Sequence, residues 1–387
     1  MVGKKALALV FSLLILAMPL TFSRVSATTP SVVILVSDNE ADCTLAEYIS
    51  NLTGIPVVKT PWGVYDPNIT TKIVSYAPDE VIIIGGPAAV PEEYVEDLQN
   101  LSITVERWWG TNRYETDLAV LGNATKKFQL QLQNRLIIVA GNDTTAIQHA
   151  LKLAIKEKAM IVFVNRTANV SRLMVKLKVK EPKMALIGTP LSNRTIEKIK
   201  KQIEEHFRGC NCSEIKLNIS AETALQAINT TEEKLKLAES MLENATSPAA
   251  ERMFELAEKQ LEEAKKAYEA GKYGEAYGLA IAARAKVDFV VRFADMDFKK
   301  KLHSHMDMML NRELARLEIQ VKFMEKAGID VQDAEKLIDS IKGAIKSGDY
   351  DTAQQLMAQL KNLIKEKYRA GKSIIKEKHQ PVKKHKH

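Results

Sequence analysis

The chain is 387 residues long, 46% hydrophobic and 27% charged, with 55 Lys and Arg against 48 Asp and Glu. That length predicts two or three domains, and the composition excludes wholesale disorder, a collagen-like repeat and a multi-span membrane protein. A net charge of +7 gives no argument for nucleic acid as a partner, and three cysteines (Cys43, Cys210 and Cys212) are too few for a disulfide-built scaffold.

Lys4 and Lys5 precede an almost unbroken apolar run over 6–22, and Val25-Ser26-Ala27 supplies the small residues of a cleavage site. Residues 1–27 therefore read as a signal peptide cleaved near Ala27, with an uncleaved anchor as the alternative. No later stretch reaches 18 consecutive apolar residues, so a mature chain starting near Thr28 is expected outside the cytoplasm with no membrane span.

From 31 to 219 short Val/Ile-rich runs alternate with helix-period stretches. Residues 31–36, 57–58, 81–84, 136–139, 160–164 and 184–187 read as buried strands; 41–51, 92–101, 112–132, 144–157 and 193–207 read as helices. Such alternation predicts a mostly parallel sheet covered on both faces. Val32–Val36 lies 103 residues before 135–139, and the same offset carries Val57-Val58 onto Met160-Ile161 and Ile84-Gly85 onto Ile187-Gly188. The fold class is thus α/β, a duplicated Rossmann-like parallel-sheet module, with halves at 28–110 and 111–219. Charge divides between them: residues 28–100 carry 11 acidic and 2 basic side chains, and 151–219 carry 15 basic and 6 acidic. The two could pair, within one chain or between copies in a homo-oligomer, or each could face solvent.

Beyond about Ser220 the texture turns to Ala, Glu, Lys, Leu and Met at helical spacing, which predicts an all-α domain of helical hairpins and a long helix, a bundle or coiled-coil stalk over 220–380. Ser247-Pro248 is a capped helix start. Gly271-Lys-Tyr273-Gly-Glu-Ala276 recurs 77 residues on as Gly348-Asp-Tyr350-Asp-Thr-Ala353, a hairpin signature in which glycine ends one helix and Tyr and Ala open the next. Residues 279–327 contain neither Gly nor Pro; unbroken, that helix would run about 70 Å, and a break near 295–297 is the alternative. Residues 381–387 form a basic tail, a solvated end or a peripheral contact with anionic headgroups.

Asparagine usage is the strongest compositional signal. Asn-x-Ser/Thr sequons stand at Asn51, Asn68, Asn100, Asn123, Asn142, Asn165, Asn169, Asn193, Asn211, Asn218, Asn229 and Asn244, so 12 of the 15 asparagines in 28–250 begin one, where chance gives about two. Residues 251–387 have none. This predicts a secreted, N-glycosylated protein of the cell envelope.

The most distinctive segment is Glu106-Arg-Trp-Trp-Gly-Thr-Asn-Arg-Tyr-Glu-Thr116, preceded about 20 residues earlier by Val81-Ile-Ile-Ile-Gly-Gly-Pro-Ala-Ala-Val90. The pair resembles the cell wall-binding repeat type 2 family of clostridial and archaeal envelope proteins, over roughly 31–210. The resemblance implies an α/β module that attaches proteins non-covalently to an envelope glycan or anionic polymer, in a surface-layer-associated, carbohydrate-binding setting. Its matches here are Gly85, Gly86, Arg107, Gly110, Asn112, Arg113, Tyr114, Glu115 and Thr116. One such motif and two modules are present, where bacterial members of the family associate three modules. Arginine suits bidentate pairing with carboxylate or phosphate, so Arg107 and Arg113 either grip an acidic glycan or order the module. One of Trp108 and Trp109 is expected to face the core.

No nucleophile–base constellation, metal site or cofactor site emerges. Gly85-Gly86-Pro87 and Gly188-Thr189-Pro190 follow strands without a phosphate-binding glycine pattern, and His149 reads as a surface or satisfied residue. Cys210 and Cys212 lack further zinc ligands, and Cys43 can pair with either in an oxidising compartment. His303-x-His305 points apart on a helix. The expectation is a binding or structural protein without turnover, displaying the helical domain to other envelope proteins; the alternative is an extracytoplasmic solute-binding protein with a ligand cleft between the two halves.

Overall fold

The computed structural model describes residues 31–207, 212–242, 247–303 and 306–379. The signal segment, the tail at 381–387, Asn211, Asn244 and Cys210 lie outside them, as does the side chain of His303 and the whole of His305.

The first half runs β1 (Val32–Ser37), α1 (Glu40–Thr53), β2 (Val57–Thr60), α2 (Pro67–Val74), β3 (Glu80–Ile84), α3 (Glu93–Asn100) and β4 (Thr104–Trp108). After α4 (Arg113–Phe128) the pattern repeats as β5 (Arg135–Ala140), α5 (Thr144–Glu157), β6 (Met160–Val164), α6 (Val170–Leu177), β7 (Lys183–Gly188), α7 (Asn193–His206) and β8 (Cys212–Lys216). Each half is a four-stranded, all-parallel sheet, in the orders β2-β1-β3-β4 and β6-β5-β7-β8. The duplication is therefore structural. By strand register its offset is 103 for β1/β5 and β3/β7, 104 for β2/β6, where Ile34 stands beside Val57 and Ile137 beside Ile161, and 107 at the fourth strand, where Ile84 stands beside Trp108 and Ile187 beside Ile215; α7 has 14 residues and α3 eight.

Helices α2 and α6 and strands β4 and β8 were not among the expected elements, and the helix expected over 112–132 stops at Phe128, where Gln129 adopts a left-handed cap. Local chemistry sets the helix starts. Asn39, Asp66, Asn112, Asp143 and Asn169 each accept a backbone N–H at a helix N-terminus, and Pro67 follows Asp66 at the first helical position.

Side-chain alternation along the strands distributes the cores. Ile34, Val36, Ile82 and Ile84 of the first sheet and Ile137, Val139, Ile161 and Ile187 of the second share one core with Leu45, Ile49, Val120 and Ile147 of α1, α4 and α5. The two halves meet across that apolar helix layer. Val33, Leu35, Val81 and Ile83 face the other way, and Leu136, Ile138, Leu186 and Ile199 form the outer core of the second half.

The C-terminal region is helical: α8 (Ala221–Leu242), α9 (Pro248–Glu269), α10 (Tyr273–His303), α11 (Met306–Ala327), α12 (Gln332–Ser347) and α13 (Tyr350–His379). The hairpins stand where the repeated motif put them, with Gly271 (φ 74°) and Gly348 (φ 77°) left-handed and Ala276 and Ala353 fully buried. Among the described residues the run at 279–327 is helical up to His303 in α10 and from Met306 in α11, and the two stretches serve different cores. Val287 and Val290 of α10 pack with α8 and α9, whereas Leu310, Leu314 and Val321 of α11 join α12 and α13 over Ile73, Tyr94 and Leu98 on the outside of the first sheet. Among the described residues no helix is long and apolar enough to cross a membrane.

Candidate functional site

In parallel α/β sheets ligands gather outside the carboxyl ends of the strands, at the point where strand order reverses. Here that point lies between β1 and β3 and again between β5 and β7, and the chain's own side chains fill both. In the second half the fully buried Asp143 carboxylate accepts from Thr189 N (3.1 Å), Thr189 Oγ1 (2.7 Å), Ser192 Oγ (2.5 Å), Ala146 N (3.2 Å) and Tyr277 Oη (3.4 Å). Tyr277 is on α10 and also accepts from Thr145 N at 2.9 Å. In the first half Asp42, 7% exposed, sits beside Gly85, whose φ of 116° leaves no ordinary side chain a relaxed conformation there.

Helix α10 and its neighbour α8 close this edge with ion pairs. Arg284 bonds Glu40 (2.5 Å) and Thr144 Oγ1 (3.0 Å), and Lys234 bridges Asp38 (3.4 Å) and Asp288 (3.0 Å). What remains open is a polar cavity of about 290 Å³ lined by Glu40, Thr144, Gln148, Gln226, Tyr277 and Arg284. The space between the halves, where a solute cleft was the alternative, is the apolar helix layer.

The Arg-Tyr-Glu-Thr turn is a joint. Arg107 donates to Gly85 O and Val90 O (both 3.0 Å) and to Glu92 Oε2 (3.0 Å), tying the turn after β3 to β4. Burial lowers its guanidinium pKa, and the Glu92 carboxylate raises it. Gly86 lies against the Trp109 ring, with room for no Cβ: one would stand 2.7 Å from Cε3. Trp108 is 1% exposed and Trp109 49%, so one of the pair does face the core. Asn112 caps α4 by accepting from Tyr114 N and Glu115 N (3.0 Å each), Glu115 accepts from Thr111 Oγ1 (2.5 Å), and Thr116 Oγ1 accepts from Gly110 N (3.0 Å). Arg113 then crosses to the second half and donates to Gly141 O at 2.5 Å, while the Tyr114 ring covers Gly141.

A Cβ on Gly110 would collide with Glu115 Cβ and lie 2.6 Å from its carbonyl carbon. Gly110→Ala is therefore expected to cost about 1–3 kcal/mol, the usual range for overpacking, read as a lowered urea midpoint with an unchanged slope.

Glu115 is exposed, whereas Asp117, two residues on, is fully buried. Asp117 Oδ2 accepts from Phe163 N at 2.8 Å and its Oδ1 has no partner. His149 is exposed. Cys43 is a free, buried thiol 3.5 Å from Glu47 Oε1, and burial raises its pKa to about 11; Cys210, one of its two possible disulfide partners, lies outside the described residues. Among the described residues no group of three or more His, Cys, Asp or Glu stands close enough to hold a metal ion.

No family model matches the chain. An uncharacterized protein of Methanocaldococcus jannaschii is 36% identical over 186 residues, 46% of this chain and 53% of its own length, so the match spans about half of that relative. Among solved structures, Cwp6 from Clostridium difficile superposes with a TM-score of 0.38 at 20% identity, covering 49% of this chain and 29% of that one.

Proposed function

We propose that this chain is an exported, N-glycosylated protein of the cell envelope, related to the cell wall-binding repeats and held non-covalently to an envelope glycan or anionic polymer. In this reading it is a structural and binding component without turnover.

The observation that carries the reading is where the sequon asparagines sit. Ten of the twelve fall among the described residues; nine are exposed and Asn165 is half-buried. The three asparagines of 28–250 that begin no sequon have structural work instead. Asn39 and Asn112 cap helices, and Asn134 donates to Lys180 O at 2.8 Å. Asn169 does both, beginning a sequon while its Oδ1 accepts from Arg172 N at 3.0 Å as the cap of α6, so the reading rests on the surface placement of the sequons.

Glycopeptide mass spectrometry on protein from native envelopes is expected to find carbohydrate on several of these asparagines and a mature N-terminus near Thr28. Unmodified, full-length protein recovered from the cytosol would overturn the proposal. Sedimentation with envelope fragments, released by salt or by a competing anionic glycan, tests the attachment separately.

A further inference from the structure

The duplication supplies an internal control for one surface. At the amino edge of the first sheet Gly54 ends α1, and Ser75, Ala77 and Glu80 lie between the end of α2 and the start of β3. The corresponding positions of the second half are Lys158, Lys178, Lys180 and Lys183. Lys158 and Lys178 are left-handed caps (φ 50° and 54°), a conformation that favours glycine and costs a lysine roughly 1 kcal/mol or more.

Backbone hydrogen bonds gather these lysines. Lys158 O accepts from Gln133 N (2.9 Å), Lys180 O from Asn134 Nδ2 (2.8 Å), and Lys183 N donates to Asn134 O (3.1 Å). Lys156 and Lys176, in the last turns of α5 and α6, flank them; these two also complement the helix dipoles, whereas the other four lie at or beyond the helix ends. All six are exposed, and none forms a salt bridge among the described residues. Glu157 is taken by Arg135 at 2.7 Å, which leaves Glu181 as the opposing charge in the α6–β7 turn.

The first half shows what such an edge does. Asp79 there holds Lys372 (2.7 Å) and Lys376 (3.7 Å) of α13, and Lys372 also donates to Pro78 O (2.9 Å). The acidic edge is docked by a basic partner from the same chain; among the described residues no salt bridge ties another element to the six lysines of the basic edge. Its neighbourhood does not suit a second helical bundle, because α6 and α7 present Arg172, Lys176, Arg194, Lys198 and Lys201 where α2 and α3 bury Ile73, Tyr94 and Leu98. All six edge residues are lysines, point charges on flexible stems, which fit closely repeated anionic groups better than one fixed carboxylate. Of the described sequons of the second half, Asn142, Asn165, Asn169, Asn193 and Asn218 follow the carboxyl ends of β5 to β8, and Asn123 lies on α4, so glycans on the first five would leave this edge clear.

We propose that the amino edge of the second sheet binds a linear polyanion, a polymer of repeated carboxylate or phosphate groups, and that this edge is the attachment surface. This rests on the envelope reading above.

The test compares wild type with Lys158→Gln/Lys178→Gln/Lys180→Gln/Lys183→Gln, and with a control of equal charge change, Lys236→Gln/Lys259→Gln/Lys322→Gln/Lys346→Gln, after equal melting temperatures are confirmed. Glutamine tolerates the left-handed caps, as Gln129 does. Binding is measured to polygalacturonate, to linear polyphosphate and to vesicles of anionic lipid. At roughly 1 kcal/mol per lysine near a dense anionic surface, the edge variant is expected to lose at least about tenfold in affinity for one of the polymers, with the control within about threefold. Equal losses in both variants, or binding to vesicles and to neither polymer, would overturn the proposal. If native envelope fragments retain the edge variant as well as wild type, the surface is wrong and envelope residence stands. If wild type binds polymer through the edge but is not retained by envelopes, the attachment reading fails and the polyanion surface stands.

Discussion

Arg316→Met is expected to destabilise the fold by about 3–5 kcal/mol, the cost of leaving a buried charge without its partner. Asp97 is 3% exposed at the end of α3. It accepts from Tyr65 Oη, from Thr70 Oγ1 at 3.0 Å and from Arg316 at 2.7 Å. The guanidinium lies 4.7 Å from the centre of the Tyr65 ring and also donates to Glu93 O at 3.2 Å. Burial acts to lower its pKa, but Asp97 and Tyr65 outweigh that and raise it. Methionine keeps most of the packing and removes the charge, so the loss isolates the electrostatics. Pairing the change with Asp97→Asn should cost less than the sum of the single changes, because the orphaned carboxylate is gone. Urea unfolding of the four proteins measures this; a single-variant loss below about 1 kcal/mol would mean that the cluster is hydrated and carries little of the docking.

That cluster answers a question the charge distribution raised. The acidic excess in 28–100 is balanced by the helical region and not by the basic half. Asp38 and Glu40 pair with Lys234 and Arg284, Asp79 with Lys372, and Glu93, Glu96 and Asp97 with Arg312 and Arg316. Six of the eleven acidic residues thus take partners from beyond residue 220. The sequence carried the imbalance openly but not its resolution, since lysines spread along an amphipathic helix look alike whether they face solvent or a docked domain. For the same reason the helical part read as a displayed domain, while α8 and α10 in fact close the strand ends and α11 to α13 cover the first sheet.

Elements with a physical signature of their own were legible. Continuous Val/Ile runs announced the central strands, and Gly-x-Tyr announced both hairpins. The eight-residue helices α2 and α6 have too few turns for a periodic apolar stripe, though Asp66-Pro67 and Asn169 were cap signals available to a stricter reading. Strand β8 is an edge strand whose Cys212 and Ser213 are exposed, so it shows no buried run. At the site, the turn from Gly110 to Thr116 stood out because each residue has a local backbone job. Asp143 and Tyr277 did not, because their partnership spans 134 residues. Asp117 had a usable signal. With Val120, Leu121 and Ala124 it falls on the buried stripe of α4, and a carboxylate at such spacing marks a buried charge.

Those buried carboxylates set the largest expected pH effect. Burial raises the Asp42 pKa to about 6, with Arg113 pulling the other way. It raises Asp117 well above the ordinary value, with a contribution from the charge of Asp42. For a carboxyl whose folded pKa lies above its unfolded one, the stabilising contribution is complete below the unfolded value near 3.8 and is lost as pH rises through the folded pKa. Between pH 4 and about 6 Asp42 alone should therefore withdraw roughly 2 kcal/mol, of roughly 3 lost in all once pH passes the folded value, and Asp117 adds a loss of the same sign beginning in that window. Carboxylates shifted the other way, such as Asp79 at about 2 with Lys372 and Ser31 bonding its charged form against the opposing effect of burial, titrate below pH 4 and leave the window clear. Asp42→Asn/Asp117→Asn is expected to flatten the decline and to be the more stable protein at pH 7.5. Chemical denaturation at half-unit pH steps measures it. An undiminished slope in the double variant would place the titrating groups elsewhere and mean that both aspartates are already ionised and solvated in the folded chain.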